Sequence, residues 1–212
     1  MHSSAQVFAT LVVGVAVWFV LYSPSEMAYD IKTLRSNTTA GLLEQLTPKL
    51  RQKIEQCKKH KDATLIAPHK LYIGSYWNAA DEEFIKANNI TSIFHFATGR
   101  PRFQLEPHVT SVYHNVLRYK SKQGPTAQFP IIQEATAELH KALSANQTVL
   151  VHCMRGRSRS VSIVIAYLME YHDYSYIDAR EYIHQLRPSI GPHEGLQLQL
   201  QAFDTFLREK HE

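Results

Sequence analysis

Cysteine is scarce in this sequence: Cys57 and Cys153 are the only two in 212 residues. Neither belongs to a C-x-x-C or Cys/His ligand spacing, which excludes a disulfide scaffold and a zinc ribbon. The twelve histidines form no recognisable ligand cluster, so we expect no metal. The charge imbalance is small as well. A net charge of +4 favours anionic partners such as phosphates or acidic lipid, but it is too low to indicate nucleic-acid binding without a motif.

The rest of the composition indicates a folded chain. Hydrophobic residues make up 44% and charged residues 20%, which excludes global disorder. At roughly 150 residues per domain, the length allows one full domain with an appendage rather than two domains. The sequence contains no internal repeat and no low-complexity tract.

The sequence has one long uncharged run, residues 7–22. As a helix this run would span about 24 Å, against a hydrocarbon core of about 30 Å, so it fits a short membrane anchor or a signal-peptide core. No Lys or Arg precedes it and no small-x-small cleavage site follows it, which favours an uncleaved anchor within residues 1–22. The alternative is a buried N-terminal helix of the domain. Because basic residues follow the run, the positive-inside rule places the remainder in the cytosol.

Residues 23–62 are interpreted as a basic juxtamembrane linker. Thr47 suits an N-cap and Pro48 the first helical position, and apolar residues recur at helical spacing around them, which predicts a short amphipathic helix. This helix would lie either on anionic lipid or against the domain. Cys57 is predicted to be an inert thiol, with palmitoylation as the alternative.

Residues 63–212 alternate between short apolar runs and helical stretches, which is typical of an α/β domain. Strands are predicted at 71–73, 92–96, 112–116 and 148–151, and the last is apolar enough to be central and buried on both faces. Helices are predicted over 80–87, 128–143 and 160–171, after a capping box formed by Ser175 and Asp178, and from about 192 to 208.

The chemistry is concentrated in residues 151–160, VHCMRGRSRS, where the apolar strand runs into a tight loop and then a helix. Such a loop gathers backbone N–H groups and the positive end of the helix around one point, which makes an anion site. The same field stabilises the Cys153 thiolate and lowers the thiol pKa below about 8.5, so Cys153 is the candidate nucleophile. Arg159 offers a planar fork for two phosphate oxygens, and Gly156 lets the loop close tightly.

This segment resembles the H-C-x-x-G-x-S-R-S signature of the cysteine-dependent dual-specificity phosphatases of the protein-tyrosine phosphatase superfamily. The resemblance extends over about residues 65–208 and implies a central, mostly parallel five-stranded sheet flanked by helices. Here an N-terminal hydrophobic segment would precede that fold. The resemblance also implies phosphomonoester hydrolysis through a cysteinyl-phosphate intermediate, with no cofactor and no metal. The matched positions are His152, Cys153, Gly156, Ser158, Arg159 and Ser160.

The resemblance assigns roles to these side chains. Cys153 would be the nucleophile, Arg159 the phosphate clamp, and Ser160 the hydroxyl that helps the thiolate leave in the second step. His152 would brace the loop and tune the thiol rather than act as a base. The substrate phosphate would be bound by loop residues Met154, Arg155, Gly156, Arg157, Ser158 and Arg159.

One feature departs from the family pattern, because the usual aspartate general acid is missing. Its aligned position falls near Lys120, and no Asp or Glu occurs between Glu106 and Glu134. Losing a positioned acid costs ~10²- to 10⁴-fold in rate, most for poor leaving groups. Three interpretations remain: a slow phosphatase that prefers good leaving groups, a proton supplied by His114, Tyr119, the substrate or a mobile loop, or a protein that mainly binds phosphorylated partners.

The leading interpretation is a membrane-anchored phosphatase with its catalytic domain, residues 63–212, in the cytosol. Its substrates would be phosphotyrosine proteins, together with phosphoserine and phosphothreonine proteins. Arg155 and Arg157 are either solvated loop charges or cations that suit a substrate with several phosphates. The alternatives are therefore a phosphatase of phosphoinositides or other polyphosphorylated substrates, with anionic phospholipid as partner, and a weakly active or non-catalytic phosphate-binding pseudophosphatase.

Overall fold

A computed structural model of the chain describes residues 63–66, 68–97, 107–114 and 124–211. All of them belong to one unit that comprises residues 60–100 and 105–212. The predictions made for residues 1–62, including the anchor and Cys57, lie outside the described residues, as does the position near Lys120. Among the residues described, no helix has the length and apolarity needed to cross a membrane.

A five-stranded sheet forms the centre of the fold, in the order β1-β2-β5-β3-β4. Strand β1 pairs antiparallel with β2, and the other neighbours pair in parallel. The mostly parallel five-stranded sheet implied by the family resemblance is therefore confirmed. The strands are β1 Thr64–Ile66, β2 Leu71–Ser75, β3 Ser92–His95, β4 Thr110–Tyr113 and β5 Val149–Cys153.

Two strands differ from the sequence prediction. Strand β1 was not predicted, because three residues are too few for the alternation of apolar and polar side chains to be recognised. Strand β4 was predicted at 112–116 but begins at Thr110, whose backbone N–H donates to the Thr91 carbonyl at 2.9 Å and opens the parallel pairing with β3.

The helices flank this sheet, and the predicted helical stretches are confirmed with small changes at their ends. Ser175 caps α5, because its Oγ accepts a hydrogen bond from the Asp178 backbone N–H at 3.1 Å. Within the described residues the helices are α1 Tyr76–Ala79, α2 Glu82–Ala87, α3 Phe129–Ser144, α4 Arg159–His172, α5 Tyr176–Leu186 and α6 Glu194–His211, with a 3₁₀ turn at Pro125–Gln128 before α3.

Strand β5 is the third of the five strands, and every one of its residues is buried, as the apolar run predicted. Val149, Val151 and Cys153 join the main hydrophobic core together with residues of α3, α4 and α6. Because side chains alternate along a strand, Leu150 and His152 point to the other face. The central strand therefore delivers Cys153 and His152 to the same sheet edge on opposite faces.

Candidate active site

The loop between β5 and α4 surrounds the Cys153 thiol. Strand β5 ends at Cys153, which is 3% exposed, and α4 begins at Arg159 with Ser158 as its N-cap. Because the strand and the helix are both buried, the five residues between them are held in a tight turn at the carboxyl end of the sheet. The positive end of the α4 dipole thus faces the sulfur.

The surroundings of Cys153 favour its thiolate. Burial alone would raise the pKa of the thiol. The charge of Arg159 and hydrogen bonds from the Ser160 hydroxyl and from the backbone of Ser160 and Arg155 outweigh burial and lower the pKa from 9.0 to about 7. The Ser160 Oγ–H donates to Sγ at 3.3 Å. Cys153 is therefore substantially ionised near neutral pH.

Gly156 closes the loop against strand β2. Its φ is +64°, and a Cβ on this residue would meet the Gly74 carbonyl oxygen at 2.5 Å. Tyr76 also joins the loop to this region, because its backbone N–H donates to the Met154 carbonyl at 3.3 Å. Only glycine combines this left-handed backbone with such a close approach. The predicted tight closure at Gly156 thus has a defined partner in the sheet.

Arg187 supports the loop from outside and was not identified from the sequence. Its side chain is 5% exposed, and its Nε donates to the Gly156 carbonyl at 2.9 Å. Its Nη1 donates to Thr64 Oγ1 at 2.9 Å, which links the loop to strand β1. No spacing rule indicates this contact, because Arg187 follows Gly156 by 31 residues and belongs to another element.

The segment between α5 and α6 braces the far side of the loop. Arg157 Nε donates to the Ser189 carbonyl at 2.6 Å, and the Gly191 N–H donates to the Arg157 carbonyl at 2.9 Å. The His193 backbone N–H donates to Ser158 Oγ at 3.0 Å. Arg157 is therefore not only a solvated loop charge, while Arg155 is a partly exposed cation of the same loop.

His152 is fully buried beneath the loop. Its Nδ1 lies 3.2 Å from the Cys153 carbonyl oxygen, and its Nε2 lies 2.7 Å from Nδ1 of His95. Burial lowers the His152 pKa to about 4; the nearby Arg159 charge adds to this effect, and the contact with the Cys153 carbonyl opposes it. A neutral buried imidazole suits the predicted bracing role better than that of a base. His95 was not identified from the sequence, because only the register of β3 against β5 brings it to His152.

His114, proposed from the sequence as one alternative proton donor, lies at the end of β4. Its ring stacks on Phe96 with centroids 4.9 Å apart, and its Nε2 lies 3.3 Å from Glu138 Oε2. Burial lowers the pKa of His114, and the charges of Glu138 and Glu134 oppose that shift. The basic segment around Lys120 lies outside the described residues. The alternative proton donors proposed from the sequence therefore stay predictions.

The described part of the chain contains no group of three or more His, Cys, Asp or Glu side chains that could hold a metal ion. The Cys153 thiolate, the charge of Arg159, the Ser160 hydroxyl and backbone hydrogen bonds from Arg155 and Ser160 meet at the end of a buried parallel strand. These groups are suited to transfer of a phosphoryl group to a cysteine nucleophile.

Residues 71–206 match the catalytic domain of the dual specificity phosphatases, and the chain belongs to that family. It is 30% identical over 197 residues to human protein phosphatase Slingshot homolog 3, which covers 86% of this chain and 29% of that protein. It is 34% identical over 138 residues to dual specificity protein phosphatase 1B of Arabidopsis thaliana, covering 65% and 80% of the two chains. The crystal structure of human DUSP28 superposes with a TM-score of 0.59 at 25% identity, over 69% of this chain and 95% of that chain. The chain spans less than a third of the length of the Slingshot relatives it matches.

Proposed function

We propose that the chain hydrolyses phosphotyrosine in proteins, and phosphoserine and phosphothreonine more slowly, through a cysteinyl-phosphate intermediate. The observation that carries this proposal is the contact of the Ser160 hydroxyl with a Cys153 thiol whose pKa is lowered to about 7. A merely structural buried cysteine has no need of a stabilised thiolate at an anion-binding loop. Membership of the dual specificity phosphatases agrees with this activity.

The first step is attack on phosphorus by the Cys153 thiolate, opposite the ester oxygen. The S–P bond forms, the P–O bond to the substrate breaks, and the leaving oxygen must receive a proton. Arg159 and the backbone amides of the loop stabilise the charge on the transferring phosphoryl group. The leaving phenolate of tyrosine needs that proton less than a serine or threonine alkoxide does. A site without the usual aspartate therefore favours phosphotyrosine.

The second step is attack on the cysteinyl phosphate by water. A new P–O bond forms, the S–P bond breaks, and sulfur leaves as a thiolate. The Ser160 hydroxyl lies 3.3 Å from Sγ and donates to the sulfur as its charge returns. Ser160 thereby stabilises the leaving group of this step.

The test is release of inorganic phosphate from a phosphotyrosine peptide by the purified 212-residue chain, with Cys153→Ser as the blank. We expect Cys153-dependent turnover that exceeds turnover of the same peptide carrying phosphoserine. A bound peptide with no release above the blank would favour the phosphate-binding alternative. Release from an inositol phospholipid but from no peptide would favour the lipid alternative. To test whether the loop cations serve a substrate with several phosphates, Arg155→Ala is a clearer variant than Arg157→Ala, because Arg157 also holds the Ser189 carbonyl.

We also propose that residues 7–22 anchor the chain to a membrane and leave residues 63–212 in the cytosol. The uncharged run and the basic residues after it support this arrangement. Protease added to the cytosolic side of intact membranes that carry the chain should digest the domain completely. A protected domain would reverse the proposed orientation.

A further inference from the structure

Three polar side chains on three adjacent strands form a hydrogen-bonded row beneath the loop. His152 of β5 and His95 of β3 occupy paired positions of the sheet, and their ring nitrogens lie 2.7 Å apart. On the far side of His95, its Nε2 lies 3.3 Å from Ser111 Oγ of β4. Both rings are buried, with His95 2% exposed. The row therefore connects the edge of the sheet to the residue before the candidate nucleophile.

The direction of these hydrogen bonds follows from one fixed acceptor. The Cys153 carbonyl oxygen can only accept, so Nδ1 of His152 carries the proton and donates to it across 3.2 Å. In a neutral His152, Nε2 must then accept, and His95 donates to it from Nδ1. Nε2 of His95 is left to accept from the Ser111 hydroxyl. One tautomer is thereby specified for each ring.

The surroundings keep both rings neutral. Burial lowers the pKa of His95, and the neighbouring His152 and His114 add to the effect. Burial also lowers the pKa of His152, with Arg159 as the nearby cation. Aromatic rings also lie against both imidazoles: Tyr113 stacks on His95 with centroids 4.4 Å apart, and the Tyr76 and His152 rings are edge-on with centroids 6.5 Å apart. The protonated, charged form of either ring is therefore destabilised.

The tautomer of His152 matters because its Nδ1–H holds the Cys153 carbonyl. With the proton on Nε2 instead, the Nδ1 lone pair would face the lone pairs of the Cys153 carbonyl. The peptide that follows the nucleophile would turn away, and the amides that stabilise the thiolate are positioned by that peptide. A partner that fixes the tautomer of a histidine in an active site commonly controls activity through orientation alone.

We infer that His95 is a positioning residue of the candidate active site: its Nδ1–H fixes the tautomer in which His152 holds the Cys153 carbonyl. The inference rests on the proposed function only for its consequence on rate. What it predicts about the structure is the tautomer of each ring and the ionisation of the Cys153 thiol, and both can be measured without a substrate.

The first experiment uses the unaltered chain. Long-range ¹H–¹⁵N correlation spectra of the imidazoles distinguish the two neutral tautomers. We expect the Nδ1–H form for both His152 and His95, unchanged from pH 6 to pH 8. Detection of the Nε2–H form or of an imidazolium at His152 in that range overturns the inference, whether or not the chain hydrolyses any phosphate.

The second experiment compares two substitutions at one position. In His95→Asn the amide nitrogen occupies the place of the imidazole Nδ1 and still donates; His95→Leu has a similar shape there but no donor. The readout is the pH midpoint of iodoacetamide alkylation at Cys153. We expect His95→Leu to raise this midpoint by about one pH unit, which is a tenfold loss of thiolate well below the midpoint. His95→Asn should bring the midpoint most of the way back to that of the unaltered chain. His140→Asn, the same exchange at an exposed ring on α3, is the matched control and should leave the midpoint in place.

The outcomes separate this inference from the proposed function. If Leu and Asn move the alkylation midpoint equally, or neither moves it in a folded protein, His95 contributes only packing and the inference is wrong. If His95→Leu does not fold, the tautomer spectrum of the unaltered chain and the Asn variant still decide. A chain with the expected tautomers and midpoints but no phosphate release would leave the inference standing and remove the proposed activity.

Discussion

Gly156 of the loop and Gly74 of strand β2 approach so closely that a single added carbon would not fit between them. A Cβ on Gly156 would lie 2.5 Å from the Gly74 carbonyl oxygen and 2.7 Å from its carbonyl carbon. Backbone atoms have nowhere to move, because Gly74 sits in a strand paired in register with β5. The position of the loop between β5 and α4 is therefore set by contact with the sheet as well as by its own turns.

Gly156→Ala should consequently reduce both stability and activity. The positive φ alone costs about 1–3 kcal/mol, and the clash with Gly74 adds to it. Gly124→Ala is the comparison, because Gly124 also has a positive φ, +91°, with no described atom within 4 Å of a Cβ. Its ψ of 179° lies in a region that essentially only glycine adopts, so its backbone strain alone is at least that of Gly156→Ala. Urea unfolding should show a larger loss for Gly156→Ala than for Gly124→Ala. A loss for Gly156→Ala within the roughly 1–3 kcal/mol that the positive φ alone costs would mean that the contact with Gly74 relaxes.

Ionisation of Cys153 should control the rate at low pH. Because the thiol pKa is lowered to about 7, the reactive thiolate is lost as the pH falls through 7. Ser160→Ala removes a donor to the sulfur and should raise the midpoint of Cys153 alkylation by about one pH unit. It should also make the second step slower, so that an initial burst of product precedes a slow steady state.

The control for that variant is Ser162→Ala, two residues further along the same helix. Ser162 Oγ donates to the Ser158 carbonyl at 2.9 Å and is bonded there rather than to Cys153. Its alkylation midpoint should match that of the unaltered chain. A shift as large as that of Ser160→Ala would assign the effect to helix α4 in general instead of to the hydroxyl at the sulfur.

Arg187→Met should loosen the loop. The substitution leaves the Gly156 carbonyl and Thr64 Oγ1 without the guanidinium, and hydrogen bonds to a charged group contribute about 1.5–3 kcal/mol. We expect a lower free energy of unfolding in urea and weaker inhibition by inorganic phosphate. Thr64→Val removes only the link to β1 and should lower stability less, with phosphate inhibition retained. Equal weakening of phosphate inhibition in both variants would contradict a direct role of the Gly156 contact.

His193 stabilises the start of helix α6. Its Nδ1 accepts from the Gly195 backbone N–H at 3.2 Å, in the manner of an N-cap side chain. His193→Ala should therefore cost about 1 kcal/mol of unfolding free energy, and His193→Asn, which offers an oxygen at a similar place, should cost only a few tenths. Thermal or urea unfolding distinguishes these outcomes. An Asn variant as unstable as the Ala variant would show that the cap does not depend on the side-chain acceptor.

Local sequence was sufficient wherever one element and its flanking turn contained the whole signal. The run Val149 to Val151 is apolar on both faces and is followed directly by Cys153 and a loop, so both the central strand and the nucleophile could be predicted. The Ser175 cap likewise needs only a residue three positions away. Strand β1 could not be predicted, because its three residues become a strand only through pairing with β2.

The supports of the site depend on contacts between distant residues. His95 meets His152 because β3 and β5 are neighbours in a particular register, and a shift of one residue would turn His95 to the other face. Arg187 reaches Gly156 only after helices α4 and α5 have packed. Periodicity and spacing rules describe one element at a time, so they do not predict contacts between residues of different elements.

The sequence by itself therefore determined the chemistry of this protein: a cysteine, an arginine and a serine at fixed spacing between a buried strand and a helix, in a phosphatase family, without the usual aspartate. Only the tertiary structure decided how that chemistry is held. Sheet register brings His95 to His152, and helix packing brings Arg187 to Gly156. Local spacing fixes which groups share one turn of chain, whereas orientation and ionisation depend on neighbours that folding brings from elsewhere.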